Sequence, residues 1–446
     1  MSGGHNKKKT SEELIEALMA NHPKGYDLSL GRITSLLEKL GNPQHKLPPV
    51  IHVAGTNGKG SAIAFTRAIL EAAGLLVHVH TSPHLVNWHE RYRMGAKGGG
   101  QLVKDAVLAD AIARVAKAND GEPITVFEVL TVVIFLLFSE NPADVCLIEV
   151  GLGGRFDATN VMEKTALTII TPISIDHESY LGDTLAKIAF EKAGIIKQQT
   201  PVIVGPQEEE ALAVIEQQGV KNSAPLTIAG QDFDGHSVNG RMIFQDENCL
   251  LDLDIPKLPG EHQISNAATA IAAARCFSNI SGMNLTTPMI DEGLSKADWP
   301  GRMQKITKGK LLDSVPKGCE VWLDGGHNPG AATMVANFLE IMNRANPRPV
   351  IMICGMLNTK DPAGYFDELS SQVDQLLAVP ILSSDAGITP VELAKIARKS
   401  GLAATHCLSL PQALGKIKEK KDCIILIAGS LYLVGDALAQ NDTPPI

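Results

Sequence analysis

Gly55-Thr56-Asn57-Gly58-Lys59-Gly60-Ser61 is the run whose residue types point most directly to chemistry. Glycines let successive backbone N–H groups turn inward around phosphate oxygens. A helix starting just after them adds its positive end. Lys59 can reach β- and γ-phosphates as a point charge, and Thr56 or Ser61 can help hold Mg²⁺ or a phosphate. The run departs from the usual G-x-x-x-x-G-K-[ST] pattern: Val53 stands where the first glycine belongs, and Gly60 separates lysine from serine. A glycine-rich turn without a ligand is the plain alternative. The apolar run before it and the helical periodicity after it favour phosphate binding.

Other candidates stand at the ends of apolar runs. Thr81-Ser82-Pro83-His84-Leu85 follows the second run, where Ser82 can offer an oxygen to a hard cation or simply belong to a proline turn. Glu149 closes a third run and opens Glu149-Val150-Gly151-Leu152-Gly153-Gly154-Arg155-Phe156-Asp157-Ala158-Thr159-Asn160. A carboxylate there is costly unless it meets a cation. Arg155 can fork onto a phosphate or carboxylate, or pair with Asp157 to stiffen the loop. Asp176-His177 follows the fourth run, and Glu191-Lys192-Ala193-Gly194 comes one helix later. Asn266 near a helix start can be a cap. Asp324-Gly325-Gly326-His327-Asn328-Pro329 ends a later strand, where α/β folds place ligands. Gly355-Met356-Leu357-Asn358-Thr359-Lys360-Asp361 and Ala428-Gly429-Ser430 are further strand ends. In Ile124-Thr125-Val126-Phe127-Glu128, Phe127 offers a flat ring and Glu128 an acceptor. Core and cap explain both equally well.

Alternating elements must position these residues. Strands are expected at Pro49–Ala54, Leu75–Val79, Ala143–Val150, Ala166–Pro172 and Pro201–Val204. Helices are expected at Ala62–Ala73, Asp105–Ala118, Leu185–Ala193 and Ile264–Phe277, with Val129–Phe138 as a buried helix. Ser11–Ala20 reads as an opening helix capped by Ser11. Residues 224–258 read as a small antiparallel excursion. After Asp298-Trp299-Pro300-Gly301 a second series starts, with strands Cys319–Leu323, Val350–Cys354, Gln375–Ala378 and Cys423–Ala428. Helices Ala331–Met342, Pro362–Ser371 and Pro390–Lys399 lie between them. The fold class is α/β: a P-loop-type, mostly parallel sheet flanked by helices over residues 1–298, and a smaller Rossmann-like domain over 299–446.

Composition narrows the function. The chain has 446 residues, 44% hydrophobic and 20% charged, with a net charge of −9 and pI near 5.8. No broad basic footprint for nucleic acid is expected, and no apolar run is long enough for a bilayer. The polar N-terminus lacks a signal-peptide stretch. Seven cysteines without a C-x-x-C pair suit reduced thiols in the cytoplasm.

In order and spacing, these motifs resemble the folylpolyglutamate synthase and dihydrofolate synthase family of the Mur ligase superfamily. Leu258-Pro259-Gly260-Glu261-His262-Gln263-Ile264-Ser265-Asn266-Ala267-Ala268 is similar to the superfamily's Gly-x-His-x-x-x-Asn-Ala pattern. The resemblance implies ATP contacts at Thr56, Asn57, Gly58, Lys59, Gly60, Ser61, Asn266, Arg302 and Asp324. It implies two Mg²⁺ ions held by Ser82, Glu149, His177 and a carbamylated Lys192. His327 is expected near the incoming glutamate. The substrate side is expected at Asp27, Leu28, Arg32, Thr125, Phe127, Glu128, Phe156 and Asp157. The activity implied is ATP-dependent joining of L-glutamate to dihydropteroate, reduced folates or both, through an acyl phosphate. All partners are then small molecules, and a monomer is expected. The nearest rivals are another superfamily ligase, a nucleotide-gated switch or transport ATPase, and an inactive relative. Asp27 to Arg32 and the Glu149 run argue against the first, and Asp324 with His327 against the second.

Overall fold

In a computed structural model, residues 9–21, 29–418 and 422–445 are described. Asp27 and Leu28 lie outside these residues.

The first sheet has eight strands: β1 (Val50–Ala54), β2 (Val77–His80), β3 (Tyr92–Met94), β4 (Gln101–Leu102), β5 (Val145–Glu149), β6 (Leu167–Ile170), β7 (Val202–Val204) and β8 (Leu226–Ile228). Their order is β4-β3-β2-β5-β1-β6-β7-β8. The six central and distal strands run parallel, while β3 and β4 form an antiparallel edge. Both faces are covered, so β1 and β5 are buried along their whole length and read as continuous apolar runs. Side chains alternate between the faces. Ile51, Val53, Val145 and Leu147 pack with helices Lys59–Ala72 and Glu261–Ser281. Val50, Cys146 and Ile148 pack with helix Val126–Glu140. That helix is apolar on nearly every side because it is enclosed.

A three-stranded antiparallel meander follows: β9 (Phe233–Val238), β10 (Arg241–Asp246) and β11 (Leu250–Asp254). Phe233, Met242, Phe244, Leu251 and Leu253 turn toward helix Glu261–Ser281, and the intervening residues face solvent. The excursion starts later than the expected residue 224, because Leu226–Ile228 pairs in parallel with β7 and completes the main sheet.

The third sheet contains β12 (Gln304–Ile306), β13 (Glu320–Asp324), β14 (Val350–Cys354), β15 (Gln375–Ala378), β16 (Ala404–His406) and β17 (Ile424–Ala428), in the order β12-β13-β17-β14-β15-β16. All are parallel except β12. Helix Leu431–Gln440 leaves β17 and crosses back to the first domain. Gly435 has no Cβ there, so the helix backbone lies directly on the carbonyl of Leu85. Leu85 and Val86 thereby pack against the core of the third sheet.

One expected cap is corrected, and the cap alternative for Asn266 is excluded. Thr10, not Ser11, caps the first helix: its hydroxyl accepts from Glu13 N–H at 3.2 Å, and Glu13 accepts from Thr10 N–H at 2.8 Å. Ser11 instead donates to Asp105 at 2.6 Å. Asn266 is no cap either, because its helix begins at Glu261. Helices Gly31–Lys39, Glu209–Lys221, Thr287–Lys296 and Leu431–Gln440 were not expected from the sequence.

Candidate active site

The C-terminal ends of β1, β2, β5 and β6 lie side by side and carry Gly55, Thr81-Ser82, Glu149 and Thr171-Pro172 onto one rim. The third sheet faces this rim with the C-terminal ends of β13, β14 and β17.

The glycine turn is shaped by close packing. Gly58 has φ +86°, and a Cβ there would lie 2.5 Å from Asn266 Oδ1. At Gly60 a Cβ would lie 2.5 Å from the Trp299 ring. Both positions therefore require glycine. The loop does not turn every N–H inward as expected. Thr56 and Asn57 donate their amides to Pro172 C=O at 2.9 and 3.1 Å. The Thr56 hydroxyl also exchanges bonds with the Ser174 backbone, at 3.1 Å each. The helix ladder starts with Ala62 N–H on Gly58 C=O. The amides of Lys59, Gly60 and Ser61 precede it, forming the positive end that suits an anion.

Lys59 folds back over this loop. Its Nζ donates to Gly55 and Thr56 carbonyls at 3.1 and 3.2 Å and lies 3.9 Å from Glu149 Oε1. Ser82 N–H donates to Glu149 Oε2 at 3.1 Å. Burial pushes the Glu149 carboxyl upward against the pull of Lys59 and Ser82. Burial likewise pushes the Lys59 amine downward against Glu149 and Asp176. Desolvation thus outweighs this single ion pair on both sides. A buried, under-compensated carboxylate beside Ser82 suits a hard divalent cation. Among the described residues, no preformed cluster of three or more His, Cys, Asp or Glu side chains stands ready for a metal. Glu149 and Ser82 would depend on phosphate oxygens to complete such a site.

Lys192 is 6% exposed and donates to Gly55 C=O at 2.9 Å. Burial, with Lys59 nearby, lowers its amine to about 7. Burial thus favours the neutral amine at this position.

The two domains meet through a polar cluster. Asp176 accepts from Lys360 Nζ at 2.7 Å and from Asn328 Nδ2 at 3.3 Å, and lies 3.6 Å from His327 Nε2. Burial acts upward on the Asp176 carboxyl, yet His327 and Lys360 together hold it well below the usual carboxylate range. His177, at φ +55°, places Nε2 3.3 Å from Lys360 Nζ. Its pKa falls to about 4, chiefly through burial. Asn57 and Asn328 exchange amide bonds across the cleft at 3.1 and 3.3 Å. Asn328 also caps helix Pro329–Ala345 by accepting from Ala331 N–H at 2.9 Å. Asp324 accepts from Met303 N–H at 3.0 Å and Gly326 N–H at 2.7 Å, fixing the turn that presents Arg302. Lys360 had no assigned role in the sequence. Its only local signal was its place after a strand end.

On the substrate side, several expected residues are engaged elsewhere. Glu128 is the N3 residue of a capping box with Thr125 and also accepts from Arg32 Nε and Nη2 at 3.2 and 3.1 Å. Phe127 covers Gly151 rather than standing free. Asp157 is buried and accepts from Gly151 N–H, Leu152 N–H, Thr159 N–H and the Thr159 hydroxyl. It ties the loop together. Arg155 pairs with Glu191 at 3.0 Å and lies between the Phe156 and Phe190 rings. Phe156 remains 38% exposed and, like Phe190, offers an aromatic surface.

A glycine loop on a parallel sheet, facing a second α/β domain across a charged cleft, defines the Mur ligase class of proteins. The profile of the Mur ligase middle domain matches residues 53–274, and that of the dihydrofolate synthetase C-terminal domain matches residues 308–440. The chain is 34% identical over 430 residues to the dihydrofolate synthase/folylpolyglutamate synthase of Bacillus subtilis, covering 92% of this chain and 94% of that one. It is 31% identical to the folylpolyglutamate synthase of Lacticaseibacillus casei, covering 90% and 92%. The structure of Escherichia coli FolC with DHPP and ADP superposes with a TM-score of 0.85 at 31% identity, covering 97% of this chain and 98% of that one. The chain belongs to the dihydrofolate synthase/folylpolyglutamate synthase family of ATP-dependent ligases.

Proposed function

We propose that this chain joins L-glutamate to dihydropteroate and to reduced folates, using ATP to make the acyl phosphate. The observation that carries the reading is the convergence of the phosphate loop with residues of the third sheet: Asn57 meets Asn328, and Asp176 meets Lys360.

A carboxylate is a poor acyl donor, so phosphorylation must come first. That step needs positioning and charge neutralisation more than covalent help from the protein. Lys59, the helix amides at Lys59 to Ser61, and Arg302 from the other domain supply positive charge where the triphosphate would lie. Thr56, Asn57, Gly58 and Asn266 shape that loop, and Asp324 sets the Arg302 turn. Ser82 and Glu149 would hold one Mg²⁺, with His177 and a carbamylated Lys192 beside a second. Bound there, magnesium would offset charge on the transferred phosphoryl group. Lys360 and His327 stand where an amino acid could enter. Lys360 offers a cation to a carboxylate, and His327 an imidazole for the amine proton. Arg32, Thr125, Phe127, Glu128, Phe156 and Asp157 form or brace the opposite wall, which suits the pterin end.

We place the domain boundary between Asp298 and Trp299. Both halves of the site come from one chain, which supports a monomer as the working form. Seven cysteines without a C-x-x-C pair support the cytoplasm.

The test is product analysis with ATP, glutamate and either dihydropteroate or tetrahydrofolate. A glutamyl amide is expected from each. ATP hydrolysis without an amide product from either acid would overturn the reading.

A further inference from the structure

We infer that Cys319 and Cys423 form a thiol–disulfide site that reacts with small oxidised disulfides. The two residues immediately precede β13 and β17, which pair in parallel with Glu320 opposite Ile424. One step back, Cys319 and Cys423 are direct cross-strand neighbours. Neighbouring strands lie about 4.8 Å apart, inside the roughly 4.4–6.8 Å Cα range that a disulfide spans. Their sulfurs are already 2.9 Å apart. The Cys423 amide also points at Cys319 Sγ, at 3.3 Å, while Glu320 N–H holds Cys423 C=O at 2.9 Å. The backbone is therefore set in the geometry of the cross-link before any bond forms.

The two thiols differ in access. Cys319 is partly exposed and Cys423 is buried. Arg348 reaches the residues beside the pair, with Nη2 3.5 Å from Glu320 and Nη1 3.6 Å from Asp422.

In the first step the Cys319 thiolate attacks the small disulfide. The small S–S bond breaks, one small thiolate leaves, and Cys319 carries a mixed disulfide. The Cys423 thiolate then attacks the Cys319 sulfur, the second small thiolate leaves, and the protein disulfide forms. The protein loses two protons and two electrons, and the small disulfide gains both as two thiols.

The experiment treats the full-length chain with oxidised glutathione. Remaining thiols are then alkylated under denaturing conditions and the peptides mapped without reductant. The expected result is a Cys319–Cys423 cross-linked peptide that dithiothreitol reverses, with the other five cysteines outside the cross-link. Cys319→Ser is expected to abolish it. Cys249 and Cys276, which are also partly exposed, report whether the oxidant was active. Glutathione on those two with Cys319 and Cys423 both alkylated would overturn the inference. So would a lasting glutathione adduct on Cys319 beside an alkylated Cys423. The wild-type map decides the matter even if the variant does not fold.

Discussion

Lys360 Nζ lies 2.7 Å from Asp176 Oδ1, and the two residues belong to different sheets. Asp176 follows β6 of the first sheet, and Lys360 follows β14 of the third. Both side chains are largely buried, so the pair pays heavily in desolvation and contributes little net stability. Its effect is positional: it fixes His177, His327 and Asn328 around one carboxylate.

Lys360→Met and Asp176→Asn should therefore each lower kcat/KM for glutamate by about 100-fold or more. The double variant should lose less than the product of the two, with a coupling of about 2 kcal/mol. Steady-state kinetics on the four proteins checks this. Independent, multiplicative losses would show that the pair does not act as a unit.

Lys59→Ala should sharply lower ATP-dependent ligation while leaving the fold intact, since among the described residues its hydrogen bonds and ion pair go to its own loop and Glu149. The expected loss is about 1000-fold in kcat, the scale of removing a charged group from a phosphoryl-transfer site. Glu149→Gln should show the same loss together with weaker dependence on added magnesium. Circular dichroism verifies folding, and near-normal turnover in Lys59→Ala counts against the assigned role.

Asp157→Ala should destabilise the protein by about 3 kcal/mol. It leaves three backbone amides and a hydroxyl without their buried acceptor. Urea unfolding measures this. Because Asp157 braces the Gly151–Asn160 loop, ligand affinity should fall with it, and a stable variant with altered pterin affinity alone would restore a direct contact role.

Acid should unfold the protein steeply below pH 6.5. His52 and His80 are fully buried, and burial lowers each from 6.5 to about 3. Between these values the unfolded chain binds a proton at each position and the folded chain does not. Their stabilisation is complete above pH 6.5 and is lost as pH falls toward 3. Near pH 5 the two together should contribute a slope of about 2.7 kcal/mol per pH unit. His52→Gln should remove about half of that slope in urea titrations at several pH values.

Much of the first domain was legible because its strands are enclosed on both faces and end in glycine or charged residues. β14, β15 and the helices Leu185–Ala193 and Pro390–Lys399 fall where the apolar spacing puts them. Thr10 with Glu13 and Thr125 with Glu128 carry the same Thr-x-x-Glu spacing, a helix-start signature. At Glu128 the structure shows the capping box together with an ion pair to Arg32. The bracing role of Asp157 was not legible because its partners are mostly backbone amides, which leave no trace in residue types. Lys360 could not be assigned from the sequence, since its meeting with Asp176 depends on how two sheets face each other across 184 positions of chain.

The contact of Gly435 with Leu85 bears on how the enzyme lets its products go. The loop carrying Ser82 grows from the first sheet but is wedged into the hydrophobic interior of the second domain. If the halves swing apart about a hinge near Pro300, that loop must either pull free or travel with its host. In the second case Ser82 leaves Glu149 behind, and parting the lobes disassembles the proposed cation site in the same movement that frees the nucleotide.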